Sequence, residues 1–445
     1  MKKIIIVGAG AVGSIVAKKL SAMDHDVTLI ESEEGALASA QRSLDAMVLA
    51  GNGASCELLE EAGIAKTDIF IAVTNHDEIN ILACLQAARY GVTRTVARVR
   101  NGDYYRADGT SFEGIEQMIN PDREAVAEIH ELLMQPAATD IYDFADGRVQ
   151  VIAARVGPGA AVADKSLREI EQSVGSRWAL VAAITRNQKT IIPCGEDVLE
   201  EGDHVFLVGR QGKINDALGM LVQHTPRPQN VMIAGATRIG IRLAAQLSEE
   251  GVHCKLVEPD ESRSRRAVNA LNKVLVLRGE ATEAELLLSE GIDEMDGFVA
   301  VSDDEEMNLT SSLLARHHGA RKTIALIKRP NYVPLASVIG VDAAVSPRLS
   351  TARAIMRYFD KDNALSFTDL EDSEAEVMEL RARERSAIVG KPLATLDFPR
   401  HALIAAIIKP YQVVVPRGSD VVEPDDQVLV FALPKAMRAV QKLFQ

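Results

Sequence analysis

Short apolar runs and amphipathic stretches alternate along the first hundred residues. The runs at 3–7, 27–30, 46–50, 69–73 and 94–99 are rich in Ile, Val, Leu and Ala. Apolar runs without regular polar alternation predict strands buried on both faces, and the 3.6-residue pattern between them predicts covering helices. Strand and helix in turn predict a parallel sheet with helices on both sides. The pattern then repeats. Val231 to Gly240 matches Ile4 to Gly13, with Gly235 lying 227 residues after Gly8. Asp296 to Asn308 matches Asp68 to Asn80 at an offset of 228, so one residue has been added in between. Two copies of a unit of about 220 residues therefore follow each other. Their seam is the polar, proline-broken stretch from His224 to Asn230.

The end of each copy has a different texture. Residues 140–222 and 364–445 carry short β-rich runs broken by turns, with strands expected at Val205–Val208 and Val428–Phe431 and a helix after each. Both contain a Pro-x-Gly step (Pro193 and Gly195, Pro416 and Gly418) followed by an acidic turn ending at Asp203 or Asp426. The expected fold is α/β: two tandem Rossmann-like doubly wound parallel-sheet domains, 1–120 and 229–346, each followed by a small α+β lobe. Asn120-Pro121 and Ser346-Pro347 read as N-caps with proline at the first helical position. They open crossover helices over 121–136 and 347–360, whose Ile129, Leu132, Leu133, Ile355 and Met356 pack either on their own lobe or across subunits. Thr74 and Ser302 read as N-caps followed by acids.

The turns leaving the strands carry the candidate chemistry. Gly8-Ala9-Gly10-Ala11-Val12-Gly13 follows the first strand and opens a helix. Gly8 permits the tight turn, Gly10 lets backbone approach a pyrophosphate, and Gly13 lets helix and sheet close up. The helix N-terminus adds free N–H groups and positive dipole charge. Glu31 ends the second strand, where an acid bonds ribose hydroxyls. In the second copy the turn is Gly235-Ala236-Thr237-Arg238-Ile239-Gly240, and Glu258 takes the place of Glu31. Thr237 replaces the middle glycine, while Arg238 is placed to reach a phosphate, so a weaker or altered site is expected, the alternative being a degenerate one kept for its fold. Asn52 and Gly53, Gly279 and Glu280, Thr74 and Asn75, and Ser302 and Asp303 lie at further carboxyl ends of strands, the ligand-binding edge of such sheets. Arg98 and Arg100 close the fifth strand with phosphate-neutralising charge, where the second copy has Leu326 and Lys328. The acids from Asp303 to Glu306 read as helix-opening charges rather than a cation site.

Composition narrows the function. The chain of 445 residues is 47% hydrophobic and 25% charged, without an apolar run of membrane-spanning length. A net charge of −14 argues against general affinity for nucleic acid or anionic lipid. Four separated cysteines and nine histidines show no metal-ligand spacing, which predicts reduced thiols mostly in core positions. GxSxG, a Walker lysine and His–carboxylate pairs at motif spacing are all missing. A duplicated binding lobe without a catalytic set reads as a sensor rather than an enzyme.

The glycine turns, Glu31 and Glu258, Gly51-Asn52-Gly53-Ala54-Ser55 and Ile71-Ala72-Val73-Thr74-Asn75 resemble RCK (KTN) domains. The tandem arrangement over the whole chain resembles the TrkA family, peripheral subunits of Trk-type potassium uptake systems. The resemblance implies binding of NAD(H) or ATP/ADP, with Gly8 to Gly13, Glu31, Asn52, Thr74, Asn75 and Arg98 lining the first site. It also implies a homo-oligomer, a tetrameric ring of RCK domains, that gates a potassium-translocating membrane subunit of the TrkH or TrkG kind. The chain would then be cytoplasmic and held to the inner face of the membrane through that partner. A regulator of another cation channel or antiporter is the alternative, and an NAD-dependent oxidoreductase a more distant one.

Overall fold

The computed structural model describes all residues except 106–111, 175–178, 188, 222–226, 361–364, 371–372 and 445. His224, Thr225 and Pro226 of the expected seam lie outside the described residues, as do the outer limits 222, 364 and 445 of the two lobes. In the first copy the order is β1 (Lys3–Val7), α1 (Ala11–Ala22), β2 (Asp26–Glu31), α2 (Glu34–Ser43), β3 (Met47–Ala50), α3 (Cys56–Glu61), β4 (Ile69–Ala72), α4 (Asp77–Arg89), β5 (Arg94–Arg98), β6 (Gln117–Ile119) and α5 (Pro121–Met134). The small lobe follows with β7 (Ala138–Phe144), β8 (Val149–Arg155), α6 (Leu167–Val174), β9 (Ala179–Arg186), β10 (Lys189–Ile191), β11 (His204–Arg210) and α7 (Ile214–Leu221).

The second copy runs β12 (Asn230–Ala234), α8 (Arg238–Glu249), β13 (His253–Glu258), α9 (Glu261–Ala270), β14 (Val274–Arg278), α10 (Ala284–Ser289), β15 (Gly297–Ala300), α11 (Glu305–His317), β16 (Thr323–Leu326), α12 (Val333–Ile339), β17 (Ala343–Val345) and α13 (Pro347–Asp360). Its lobe contains β18 (Leu365–Asp369), β19 (Glu376–Arg381), β20 (Ala402–Ile408), β21 (Val413–Val414), β22 (Gln427–Ala432) and α14 (Pro434–Leu443). Among the described residues no helix is long and apolar enough to cross a membrane.

The chain forms two compact units, Met1–Ile129 with Asn230–Phe359 and His130–Gln229 with Asp360–Gln445. In the first unit both sheets are parallel and share one order, β3-β2-β1-β4-β5-β6 and β14-β13-β12-β15-β16-β17. This is the doubly wound order with its switch point beside the first strand. The continuous apolar runs have the physical cause expected of them. Ile4, Ile6, Leu29, Ile69 and Ile71 enter one core, and Ile5, Val7, Ile30, Phe70 and Ala72 enter the core on the other face. Strand β6 lies outside the runs the pattern predicts, because its three residues are too few to show a period.

The crossover helix α13 takes neither course expected of it. Its Ile355, Met356, Tyr358 and Phe359 join the core of the first copy's sheet within the same chain. Phe359 lies against the His25 ring with centroids 5.1 Å apart, and Arg94 donates to the Tyr358 carbonyl at 3.0 Å. Helices α5 and α13 are joined by Arg357–Glu124 at 2.9 Å, by the Ser350 hydroxyl donating to Glu128 at 2.7 Å, and by Arg353–Glu128. Of the two predicted caps, Asn120 accepts from the N–H groups of Asp122 and Arg123, at 3.0 and 3.1 Å. The Ser346 hydroxyl is buried and makes no such bond.

In the second unit both sheets are antiparallel, in the orders β10-β9-β11-β8-β7 and β18-β19-β22-β20-β21. Phe144, Val151, Ala183 and Phe206 of one pack with Val377, Ala406, Leu429 and Phe431 of the other. The acidic turns end on buried carboxylates. Asp203 accepts from Arg186 at 2.7 and 2.6 Å, and Asp426 lies 3.5 Å from the Lys409 ammonium. All four cysteines are free. Cys84 and Cys254 are buried but Cys56 and Cys194 are exposed, so the core expectation holds for half of them.

Because Phe359 comes from the second copy and is buried in the core of the first, Phe359→Ala is expected to destabilise the first sheet domain. The expected loss is about 3 kcal/mol, typical of emptying an aromatic core position. A lowered melting temperature together with faster proteolysis within residues 1–129 would register it; an unchanged melt would contradict this packing.

Candidate nucleotide crevices

Each first strand delivers its glycine turn to the switch point of its sheet. Gly8 has φ +102° and Gly235 φ +110°, conformations that L side chains rarely adopt. Their N–H groups donate across to Ile30 and Val257, both at 2.8 Å. Gly13 and Gly240 permit the closest approach. A Cβ there would stand 1.8 Å from the Gly8 carbonyl oxygen and 2.0 Å from that of Gly235. Gly10 is different. Its φ of −65° suits any residue, and a Cβ would meet nothing within 4 Å. Ala11 starts α1, and Val12, like Ile239 on α8, is buried toward the sheet.

Glu31 is locked by the backbone around it. One carboxylate oxygen accepts from Ala9 N–H at 2.5 Å, the other from Ser32 and Glu33 at 2.7 and 2.8 Å. Three N–H groups use part of its four-site acceptor capacity, leaving room for a hydroxyl donor. Glu258 is held the same way, by Ala236 N–H at 2.7 Å and Asp260 N–H at 3.0 Å. At the next strand ends, Asn52 accepts from Ala54 N–H at 3.0 Å and so shapes its own turn. Gly53 is required by packing, since a Cβ would lie 2.1 Å from Val7. In the second copy Gly279 crowds only the flexible end of Leu286, and Glu280 is exposed.

Thr74 and Ser302 do not cap the helices that follow. Helix α4 begins after His76, and α11 begins after Asp304, which accepts from the Glu306 and Met307 N–H groups. Both hydroxyls serve a buried asparagine instead. Asn80 accepts from Thr74 N–H and its hydroxyl, at 2.9 and 2.8 Å, and donates to the Thr74 and Arg98 carbonyls at 3.0 and 2.8 Å. Asn308 makes the same four bonds with Ser302 and Leu326. These asparagines tie the ends of neighbouring strands together below the crevice. They were visible in the sequence only as identical residues within the repeat. Asn75, one position on from Thr74, is exposed at the lip.

Arg98 donates to the Thr74 carbonyl at 2.8 Å, and burial, then the adjoining Arg100 charge, lowers its pKa from the usual arginine value. A half-buried cation held at the crevice is suited to a phosphate. Arg100 and Arg238 are engaged elsewhere. Arg100 Nε lies 3.1 Å from both oxygens of the buried Asp122, and Arg238 Nε lies 3.2 Å from one of them. The phosphate contact expected of Arg238 is thus replaced by an ion pair to α5. Thr237 has also turned inward. Its hydroxyl donates to the Val301 carbonyl at 2.8 Å and accepts from Gly240 N–H at 3.2 Å. It caps α8 with a group that competes for a donor an anion would use. Asp303 forms an ion pair with Arg263 at 2.7 Å.

The TrkA-N domain model matches residues 4–121 and again 231–347, and the TrkA-C domain model matches 151–221 and 377–445. The chain belongs to the TrkA family. It is 36% identical to Trk system potassium uptake protein TrkA homolog 2 of Methanosarcina mazei, over the full length of both. It is 31% identical to Trk system potassium uptake protein TrkA of Haemophilus influenzae, covering 100% of this chain and 98% of that one. Among solved structures it shares its fold with the GsuK RCK domain, at a TM-score of 0.57 and 20% identity, covering 100% of this chain and 95% of that one. The GsuK channel bound to NAD aligns at the same TM-score and identity, covering 100% of this chain and 79% of that one.

Asn80→Ala is expected to leave the Thr74 N–H and the Arg98 carbonyl without their Asn80 partner, while the Thr74 carbonyl keeps its bond from Arg98. Each such group costs about 1–3 kcal/mol, so the melting temperature should fall clearly. Gly13→Ala should also unfold the turn, whereas Gly10→Ala should melt like the parent protein. Equal melting of all three variants would contradict the geometry described.

Proposed function

We propose that this protein is the nucleotide-sensing regulatory subunit of a potassium uptake system, and that the first crevice is its principal sensor. The observation that carries the reading is Gly10. Nothing in the chain itself demands glycine there, yet the residue sits at the α1 N-cap, where a Cβ would meet open space. A pyrophosphate pressed against the backbone supplies the missing reason. Glu31 takes the ribose hydroxyls, the α1 N–H groups take the phosphates, and Arg98 adds positive charge. The ligand is NAD(H) or ATP/ADP, as befits an adenine ribose and two phosphates; the NAD bound in the GsuK channel agrees with this.

The output is gating. Nucleotide favours one arrangement of the domains, and by linkage that arrangement favours one state of the partner. The partner is a potassium-translocating membrane subunit, in line with the names of the full-length relatives. The chain acts as a homotetrameric ring docked by protein–protein contact at the cytosolic face. Its net charge of −14 would be repelled by an anionic leaflet, so lipid adhesion is not the means of attachment.

Gly10→Val is expected to abolish the tighter of two nucleotide-binding classes in calorimetry while leaving the melt unchanged. Thr237→Gly frees the Gly240 N–H at a cost of a few tenths of a kcal/mol to the helix cap, so the weaker class should tighten or stay as it is. Cells lacking the gene should grow poorly at limiting potassium, and the Gly10→Val protein should fail to restore nucleotide-dependent uptake. Unchanged affinity in Gly10→Val, or normal uptake in the deletion, would overturn the proposal.

A further inference from the structure

The two crevices differ at their mouths. Sheet order places β12 between β13 and β15, so a bond between the segments following β13 and β15 passes over the glycine turn of the second copy. Such a bond exists. Asp260 caps α9 by accepting from Arg263 N–H at 2.8 Å, which sets the first turn of that helix. From this turn Arg263 Nη1 reaches Asp303 Oδ2, beyond β15, at 2.7 Å. Lys328 approaches Asp303 from beyond β16, with its ammonium 3.6 Å from the other oxygen. Below the bridge Glu258, the acid that would meet a ribose, is only 4% exposed. The Arg263 pKa is raised, first by its bond to Asp303, and Glu258 adds to the same field.

Among the described residues the first copy has no such bridge. Five residues beyond its acid stands Ala36, and five residues before its buried asparagine stands Asn75. Neither is charged, and Glu31 below them is half-buried rather than buried.

We propose that the Arg263–Asp303 ion pair is a gate across the second crevice, and that a nucleotide enters there only by breaking it. The proposal rests on the reading of both crevices as adenine-nucleotide sites. The Asp303 carboxylate stands where a ligand's anion would bring its charge. A phosphate that displaces it finds Arg263 and Lys328 already in place. With side chains 38% and 61% exposed, the pair is a weak gate. Exposed pairs of this kind shift a binding constant by up to about fivefold. The two Arg263–Asp303 positions therefore help decide which copy is occupied as nucleotide concentration rises.

The test uses the full chain carrying Gly10→Val, so that only the second crevice is read, with adenosine and ATP as probes in calorimetry. Asp303→Asn and Arg263→Ala each break the pair. Both are expected to strengthen adenosine binding by up to about fivefold, because adenosine carries no charge and reads only the opening. For ATP, Asp303→Asn should strengthen binding more than Arg263→Ala, which removes a phosphate partner as well as the gate. Adenosine affinity unchanged in both variants, with ATP strengthened by Asp303→Asn alone, would reduce the effect to simple charge repulsion and overturn the gate. A parallel titration of the chain with Gly10 intact separates the failures. ATP binding at the first crevice without any binding at the second, in all variants, overturns the gate alone. Loss of both binding classes overturns the nucleotide reading and the gate with it.

Discussion

The close approach of helix to strand at the glycine turn is the constraint on which both sheet domains depend. At Gly13 and Gly240 a single added carbon would stand within about 2 Å of a carbonyl oxygen of the same turn. No rotamer relieves such a clash, because both partners are backbone. The approach brings the N-termini of α1 and α8 over the ends of their first strands, where the aligned N–H groups and helix dipole meet the switch point of the sheet. Glu31 and Glu258 then brace the turn from the neighbouring strand by accepting an N–H from Ala9 and Ala236. The same contacts that make the fold also define the crevice.

Duplication has been put to structural use. The first sheet domain is not closed by its own residues alone, since α13 of the second copy completes its core. The ion pairs between α5 and α13 and the Arg100–Asp122–Arg238 cluster span both copies. Asp122 is buried and meets guanidinium groups from each copy, an arrangement that resists separation because a lone buried carboxylate is costly. The two sheet domains are therefore packed as one compact unit.

Within that shared frame the copies differ at the rims of the crevices rather than in the buried ties beneath them. Gly10 leaves the α1 N-terminus uncapped, whereas the Thr237 hydroxyl caps α8 and uses one of its donors. Arg98 offers charge where the second copy has the buried Leu326. Asn80 and Asn308, which hold the strands together, make the same four bonds in both. Backbone geometry is retained and the side chains at the crevice rim vary.

The sequence by itself determined the strands and helices of the two parallel-sheet domains, the duplication and the need for glycine at Gly8 and Gly13. These rest on periodicities of a few residues and on φ or contact demands that only glycine meets, and all of them are local. The three residues of β6 were too short to carry a period. The destinations of long or polar side chains were decided by tertiary structure. Arg100 and Arg238 read as phosphate contacts because each lies beside a crevice in the chain, yet Asp122 draws both away. Thr74 and Ser302 read as caps because acids follow them, yet a buried asparagine six residues on competes for their hydroxyls and wins. Helix α13 showed an apolar face without showing what it covers. A side chain's partner depends on what folding brings within reach from hundreds of residues away, and no local pattern encodes that distance.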